Sequence, residues 1–387
     1  MFRFFSQLFP GSTLSDRLVA VQNRPSGFDY MRIILALAVV LWHVNDLVWG
    51  RMGEAWWQTA LFPFAMLIVP MFFSLSGFLV AGSFERNKSL ITFLGLRVFR
   101  IMPALVVEVL LSALILGPLL TTLPLGDYFS SPVFHAYFWN ILGEIHYYLP
   151  GVFEQNPFTQ VNGQLWTVPY ELICYVVLAG FAVLGIYRKA SWLWYALLLC
   201  YGLQVLNTIL RPREDVISAT GSTVVMSFIA GLLLYRYRTK ISWSLTLCLV
   251  TAAVSLWLAT IPAGQRFAPL PIAYMTVYLG LLNPPRNKLL LSGDYSYGIY
   301  LYGYPIQQAL IAANPVFRVW YWHLLAVVPA ISLFAAFSWW VIEKPVLGRK
   351  DVLKRLESWY MNHALVQQYR WLRFFSAISA MKSPEYD

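Results

Sequence analysis

The chain has 387 residues, of which 59% are hydrophobic and only 12% are charged. Soluble domains carry about 25% charged and about 45–50% apolar residues, so this composition excludes an ordinary soluble domain and indicates a protein embedded in lipid. The formal net charge is +10, but membrane topology accounts for the basic residues and we predict no nucleic-acid partner. The three cysteines lack disulfide or metal-ligand spacing, and we predict no metal site.

Ten apolar segments follow one another along the chain: residues 28–49, 60–82, 98–119, 166–186, 191–209, 222–236, 242–260, 265–283, 295–313 and 320–342. Stretches of this length and composition are typical of transmembrane helices. If the N-terminus is inside, 22 Lys and Arg residues fall in the inner segments and five fall in the outer loops. Because positive charge is retained on the cytoplasmic side, we predict an all-α membrane bundle of about ten transmembrane helices with both termini cytoplasmic.

The same pattern divides the chain into three parts. We predict that residues 1–25 form a cytoplasmic or interfacial N-terminal arm, 26–347 the transmembrane domain, and 348–387 a cytoplasmic amphipathic tail. The long outer loop, residues 120–165, contains no Lys or Arg and many aromatic residues. Two interpretations of this loop stay open, because aromatic rings suit both an external carbohydrate site and a cap packed over the bundle.

Arg32 and His43 lie eleven residues apart in the first apolar segment. Eleven residues make three helical turns plus about 20°, so both side chains share one face and lie about 16 Å apart along the axis. Ionisable residues inside a membrane helix are costly and mark functional sites. His43 can accept and return a proton near neutral pH, and Asp46, three residues later, can orient its ring.

A carboxylate is expected at nearly the same depth as His43. Glu171 lies about five residues into the fourth segment, which enters the membrane from the outside. A histidine and a carboxylate at one depth can form a base and its orienting partner. Glu108 in the third segment is the competing intramembrane acid, and its depth fits less well.

Basic and small residues gather at the opposite, inner side. Arg97 and Arg100 stand three residues apart where the third segment begins, and guanidinium groups suit a phosphate-bearing ligand. Membrane anchors have the same pattern, so anchoring remains an alternative for this pair. Ser76 lies near the inner end of the second segment, and its neighbour Gly77 permits close approach of a helix or ligand.

Six stretches resemble, in order, the motifs of the acyltransferase 3 family, the integral-membrane acyltransferases that modify bacterial surface glycans and related acceptors. They are FDYMRIILALAVVLWH, MFFSLSGFLV, LRVFRIMP, NGQLWTVPYELICY, GDYSYGIYLYGYP and VIEKP. The resemblance spans about residues 25–347. In the fifth stretch Gly303 stands where the family commonly has a histidine, so no role of that histidine is carried over to this chain.

The resemblance implies transfer of an acyl group, usually acetyl, from cytoplasmic acyl-coenzyme A to a hydroxyl of a carbohydrate or glycolipid on the outer side. It implies that His43 is the catalytic base, and by the spacing and depth given above Asp46 or Glu171 is expected to orient it. It also implies a location in the bacterial inner membrane, in contact with the lipid bilayer. A transporter or flippase is the alternative, because its helices would also carry buried Arg, His and Glu.

The resemblance also implies that acyl-coenzyme A is the co-substrate and that no cofactor is tightly bound. The residues expected to hold the donor are Arg32, Ser76, Arg97 and Arg100. Two aromatic residues of the motifs, Trp166 and Tyr297, are expected to bind substrate.

Overall fold

The computed structural model describes residues 11–49, 61–87, 89–210, 220–261 and 263–362, and within these ranges it is helical with no β-strand. Residues 1–10 of the predicted arm and residues 363–387 of the predicted tail lie outside the described ranges. The main helices are α1 (Leu14–Ala20), α2 (Ser26–Trp49), α3 (Phe62–Arg86), α4 (Leu90–Leu111), α5 (Leu125–Ser130), α6 (Pro132–Tyr137), α7 (Val168–Val183), α8 (Ala190–Leu210), α9 (Gly221–Arg236), α10 (Leu245–Ala259), α11 (Pro269–Gly280), α12 (Ser296–Ala313), α13 (Trp320–Phe337) and α14 (Lys350–Asn362).

Among the described residues, five helical stretches are long and apolar enough to cross a membrane: Ser26–Val48, Phe62–Arg86, Leu90–Leu120, Gly163–Val183 and Trp320–Tyr360. Helices α9 and α10 are shorter apolar helices. The predicted class, an all-α protein with membrane-spanning helices, is therefore confirmed. The count of ten spans and the side on which the termini lie stay predictions.

Helix α4 begins earlier than the sequence predicted. The prediction started this helix at residue 98, but it begins at Leu90 and continues through a π-helical segment, Ser112–Leu116. The Ser89 side chain caps its start by accepting a hydrogen bond from the Thr92 backbone N–H (3.3 Å). The prediction was wrong here because arginines interrupt the apolar run, so Arg97 and Arg100 lie in the second and third turns and not at the helix start.

The most extensive helix–helix packing joins α3 to α9. A Cβ atom on Gly77 would overlap the Phe228 carbonyl oxygen, and one on Gly231 would overlap the Ser74 carbonyl oxygen. Glycine at both positions lets the two backbones touch, as small residues do in membrane helix pairs. The expectation that Gly77 permits close helix approach is confirmed.

The predicted outer loop is an ordered cap, and residues 120–165 are called the cap below. It contains α5, α6 and a 3₁₀ segment, Phe138–Leu142, and its side chains Tyr128, Tyr137 and Val161 are fully buried. The Tyr128 hydroxyl donates to the Ala113 carbonyl oxygen (2.7 Å), which ties the cap to the end of α4. This packing fits the cap interpretation of the loop.

Both ends of the described chain dock on the bundle. Helix α1, within the predicted arm, donates a hydrogen bond from the Leu14 backbone N–H to the Ile241 carbonyl oxygen (2.9 Å). Helix α14, within the predicted tail, is joined to α4 by a hydrogen bond from the Thr92 hydroxyl to Glu357 Oε2 (2.6 Å). These contacts hold α1 and α14 against the helices of the bundle.

Candidate active site

A cavity of about 370 Å³ opens between α2, α3, α4, α7 and α12. Its size lies in the range of small-molecule sites, about 300–1,000 Å³. Six of the residues singled out from the sequence line it: Arg32, Ser76, Arg97, Arg100, Glu171 and Tyr297. The structure thus brings together residues from five segments that are distant in the chain.

An ion network closes one side of this cavity. Arg100 contacts Asp294 Oδ2 through Nη2 (2.7 Å) and Glu343 Oε2 through Nη1 (3.0 Å), and Arg32 Nη1 contacts the same Asp294 oxygen (3.1 Å). Asp294 precedes α12, and burial would raise the pKa of its carboxyl, but Arg100 and Arg32 lower that pKa to about 2. Asp294 is therefore ionised at physiological pH and holds both arginines in place.

Serine hydroxyls hold the carboxylates of Asp294 and Glu343 in place. Ser296 Oγ donates to Asp294 Oδ1 (2.9 Å), and Ser338 Oγ donates to Glu343 Oε1 (2.9 Å). Ser338 and Glu343 are five residues apart, which would separate them by about 140° around an α-helix. The π-helical segment Ser338–Glu343 brings them onto one face instead. The irregular helix is what aims the fully buried Glu343 at Arg100.

Two other cavity arginines lack a carboxylate partner among the residues that the structure describes. Arg97 Nη2 donates to the Ser83 hydroxyl at 3.4 Å, and its buried Nε has no hydrogen-bond partner. Arg86, at the end of α3, lines the same cavity and is exposed. These two guanidinium groups can bind an anion in the cavity without first breaking an ion pair.

The two candidate acids have different surroundings. Glu171 lines the cavity and accepts a hydrogen bond from the Tyr175 hydroxyl (2.6 Å). Glu108 is sealed in the core, where Ser112 Oγ (2.8 Å) and Asn162 Nδ2 donate to its Oε1. A ligand in the cavity can therefore reach the Glu171 carboxylate but not that of Glu108, and the choice between them as partner of His43 stays a prediction.

The predicted shared face of α2 is confirmed, because both of its polar residues point toward α12. Arg32 contacts Asp294, two residues before α12, and the His43 ring makes a T-shaped contact with Tyr304 within that helix. The ring centroids of His43 and Tyr304 are 5.0 Å apart. Arg32 at the ion network and His43 therefore lie at two ends of the α2–α12 contact, with the buried apolar side chains Ala36 and Val40 between them.

The remaining predicted residues lie apart from one another. Within the described ranges, the structure shows no hydrogen bond between the half-buried His43 and either Asp46 or Glu171. Trp166 packs against Tyr170, with ring centroids 6.0 Å apart, and does not line the cavity. Their catalytic and substrate-binding roles stay predictions.

Comparison with known proteins identifies the family. The sequence model of a family described as an acyltransferase domain matches residues 26–344. The chain belongs to the acyltransferase 3 family.

Three known proteins are similar in sequence to this acyltransferase 3 protein. It is 29% identical over 366 residues to nodulation protein 10 of Rhizobium leguminosarum bv. viciae, covering 85% of this chain and 95% of the relative. It is 26% identical over 349 residues to an O-acetyl transferase of Shigella phage Sf6, covering 85% and 98%. It is 23% identical over 387 residues to a putative peptidoglycan O-acetyltransferase of Bacillus subtilis (strain 168), covering 86% of this chain and 57% of that protein. No solved structure matches the chain.

Sequence reasoning missed three participants in the site of this acyltransferase 3 protein. Asp294 and Glu343 both lie inside stretches that resemble family motifs, GDYSYGIYLYGYP and VIEKP, yet the sequence gives no sign of their shared partner Arg100. Arg86 looked like one more basic residue at the end of a helix. Charged residues are rare in this chain, and both Asp294 and Glu343 lie in or beside an apolar helix. That placement was the signal that could have marked these two acids as functional.

Proposed function

We propose that this protein is an O-acyltransferase that moves an acyl group, acetyl in the first instance, from cytoplasmic acyl-coenzyme A to a hydroxyl on the outer side of the membrane. One observation carries the proposal: Arg32, which lines the cavity, and His43 lie on one face of α2. They are about 16 Å apart along that helix, comparable to an extended pantetheine arm. Family membership and relatives named as O-acetyltransferases support the same reaction.

The donor fits the charges of the cavity. Arg97 and Arg86 are the groups proposed to bind the phosphates of coenzyme A, because guanidinium forks match phosphate oxygens and neither is held by a carboxylate among the described residues. Arg32 and Arg100 add positive charge but are held by acids, so they shape the wall. The pantetheine arm would then extend from the cavity toward His43.

The chemistry requires one proton carrier near the acyl carbon. His43 takes the proton of the acceptor hydroxyl as the alcohol oxygen attacks the thioester carbonyl. The carbon–sulfur bond breaks as the new carbon–oxygen bond forms, and the proton passes from His43 to the departing thiolate. A direct transfer of this kind needs no covalent enzyme intermediate.

The acceptor is proposed to be a carbohydrate or glycolipid that approaches beside the cap. The aromatic cap surface suits sugar rings, and one relative is named a peptidoglycan O-acetyltransferase. Ten spans with both ends cytoplasmic would put the arginines at the donor side and the cap at the outer side of a bacterial inner membrane.

The decisive test is acetylation of surface polysaccharide in cells that express the wild-type protein or His43→Ala. Mass spectrometry of the glycan should show O-acetyl groups with the wild type and their loss with the variant. Ser358→Ala is the control, because Ser358 is an exposed residue of α14, outside both the cap and the cavity. Full acetylation by a well-expressed His43→Ala protein would refute the proposed base. Substrate uptake that does not depend on acyl-coenzyme A would point to a transporter.

A further inference from the structure

One face of α12 carries three polar side chains that fasten the end of the cap to the bundle. Tyr300, Tyr304 and Gln308 are spaced four residues apart, so they lie in one row along the helix. Each of them bonds to the segment 156–167, which leads from the cap into α7. We call this row the α12 seam.

The Gln308 end of the seam is fully bonded. Its Nε2 donates to the carbonyl oxygens of Phe158 and Gln160, both at 2.7 Å. Its Oε1 accepts a hydrogen bond from Asn156 Nδ2 (2.9 Å). Both amide hydrogens are used, which fixes the segment against α12 at this point.

The Tyr300 end depends on a proline inside the helix. Pro305 has no N–H, so the Leu301 carbonyl oxygen, its partner in a regular α-helix, is left without a backbone donor. Gln164 Nε2 donates to this oxygen (2.9 Å), and the Tyr300 hydroxyl donates to the Gln164 carbonyl oxygen (2.5 Å). The segment thus completes the hydrogen bonding of α12 where the proline interrupts it.

Tyr304 lies between these two anchors and is confined on both sides. It is buried, its ring makes a T-shaped contact with the His43 ring, and its hydroxyl donates to Gln160 Oε1 at 3.3 Å. A Cβ atom on Gly163 would lie 2.8 Å from both Cε2 and Cζ of the Tyr304 ring. Glycine at 163 is therefore the residue that leaves room for the ring beside His43.

We propose that Tyr304 is a positioning residue that sets the orientation of the His43 imidazole relative to the segment 156–167. A catalytic base is ordinarily oriented by a hydrogen bond from a third group, and the structure shows none to His43 within the described ranges. The Tyr304 ring, which lies between the Gln308 and Tyr300 contacts of the seam, orients the His43 ring instead by packing against it. The role of Tyr304 in catalysis rests on the proposed function, in which His43 is the base.

The test compares Tyr304→Leu, Tyr304→Phe and Gly163→Ala with two matched controls. Tyr302→Leu removes a buried ring of the same helix that packs against Phe334, and Gly180→Ala adds a methyl group where no atom lies within 4 Å. Purified proteins in lipid nanodiscs are assayed for kcat, for KM of acetyl-coenzyme A and for thermal unfolding. The rate at which diethyl pyrocarbonate modifies His43 is followed by mass spectrometry.

We expect Tyr304→Leu and Gly163→Ala to lower kcat about 10- to 100-fold with little change in the donor KM, because a misplaced catalytic group costs that much. Tyr304→Phe keeps the ring and loses one hydrogen bond, so its kcat should stay within about threefold of the wild type. Modification of His43 should become faster in Tyr304→Leu and stay unchanged in both controls.

An unchanged rate of His43 modification in a folded Tyr304→Leu protein overturns the inference, as does an equal change in Tyr302→Leu. If the wild type transfers no acyl group, the proposed function fails. The modification rate still shows whether Tyr304 holds the imidazole, so the two failures can be told apart.

Discussion

Two arginines three residues apart on α4 meet opposite surroundings. Arg100 lies between Asp294 and Glu343, and the Glu343 side chain is 0% exposed. Arg97 faces the cavity with the Ser83 hydroxyl at 3.4 Å and no carboxylate among the described residues. Removing one partner of a buried ion pair leaves an uncompensated charge, which costs far more than losing a group that faces a polar cavity.

We therefore expect Arg100→Gln to lower the free energy of unfolding by about 3–5 kcal/mol. Arg97→Gln should leave unfolding nearly unchanged and raise the KM for acetyl-coenzyme A about tenfold or more, since it removes a charge-assisted bond to phosphate. Thermal unfolding and donor kinetics, both in nanodiscs, measure the two effects.

Arg349→Gln, at an exposed position between α13 and α14, is the control for loss of one positive charge. The division of roles would be contradicted if Arg97→Gln unfolded as readily as Arg100→Gln. It would also be contradicted if Arg100→Gln kept the stability of the wild type.

At the scale of whole helices, the contact between α3 and α9 depends on two glycines. A methyl group on Gly77 would overlap a backbone oxygen of α9, and a backbone cannot move aside as a flexible side chain can. We expect Gly77→Ala to lower the free energy of unfolding by at least about 1–3 kcal/mol, the usual cost of overpacking. Gly202→Ala, in α8 with no atom within 4 Å, should have almost no effect. Equal thermal unfolding of the two variants would show that α3 and α9 do not pack this closely.

Helix placement was largely predictable from the sequence, because an apolar run of spanning length has few alternatives in lipid. The start of α4 was not predicted correctly, because Ser89 caps a helical turn that lies before the apolar run. The face shared by Arg32 and His43 followed from 100° per residue alone. Their partners could not be predicted: Asp294 and Tyr304 lie more than 250 residues away in the chain, and only packing brings them together.

At the scale of the molecule, three features lie in sequence along one contact between helices. The ion network and cavity come first, His43 and Tyr304 follow along the α2–α12 contact, and the α12 seam joins them to the cap. A donor entering at the arginines and an acceptor arriving beside the cap would meet at His43. Acyl transfer across the membrane requires that the arginines and the cap lie on its opposite sides.

Sidedness can be measured with single cysteines in a variant whose Cys174, Cys200 and Cys248 are replaced by Ser. Ser130→Cys reports on the cap and Ser358→Cys on α14, and both positions are exposed. A membrane-impermeant maleimide should label Ser130→Cys from outside in spheroplasts and Ser358→Cys only after the membrane is permeabilised, because 22 Lys and Arg residues are assigned to the inner side. Labelling of both cysteines from outside would put the donor cavity and the cap on one side. The face of α2 that carries Arg32 and His43 would then not lead an acyl group across the membrane.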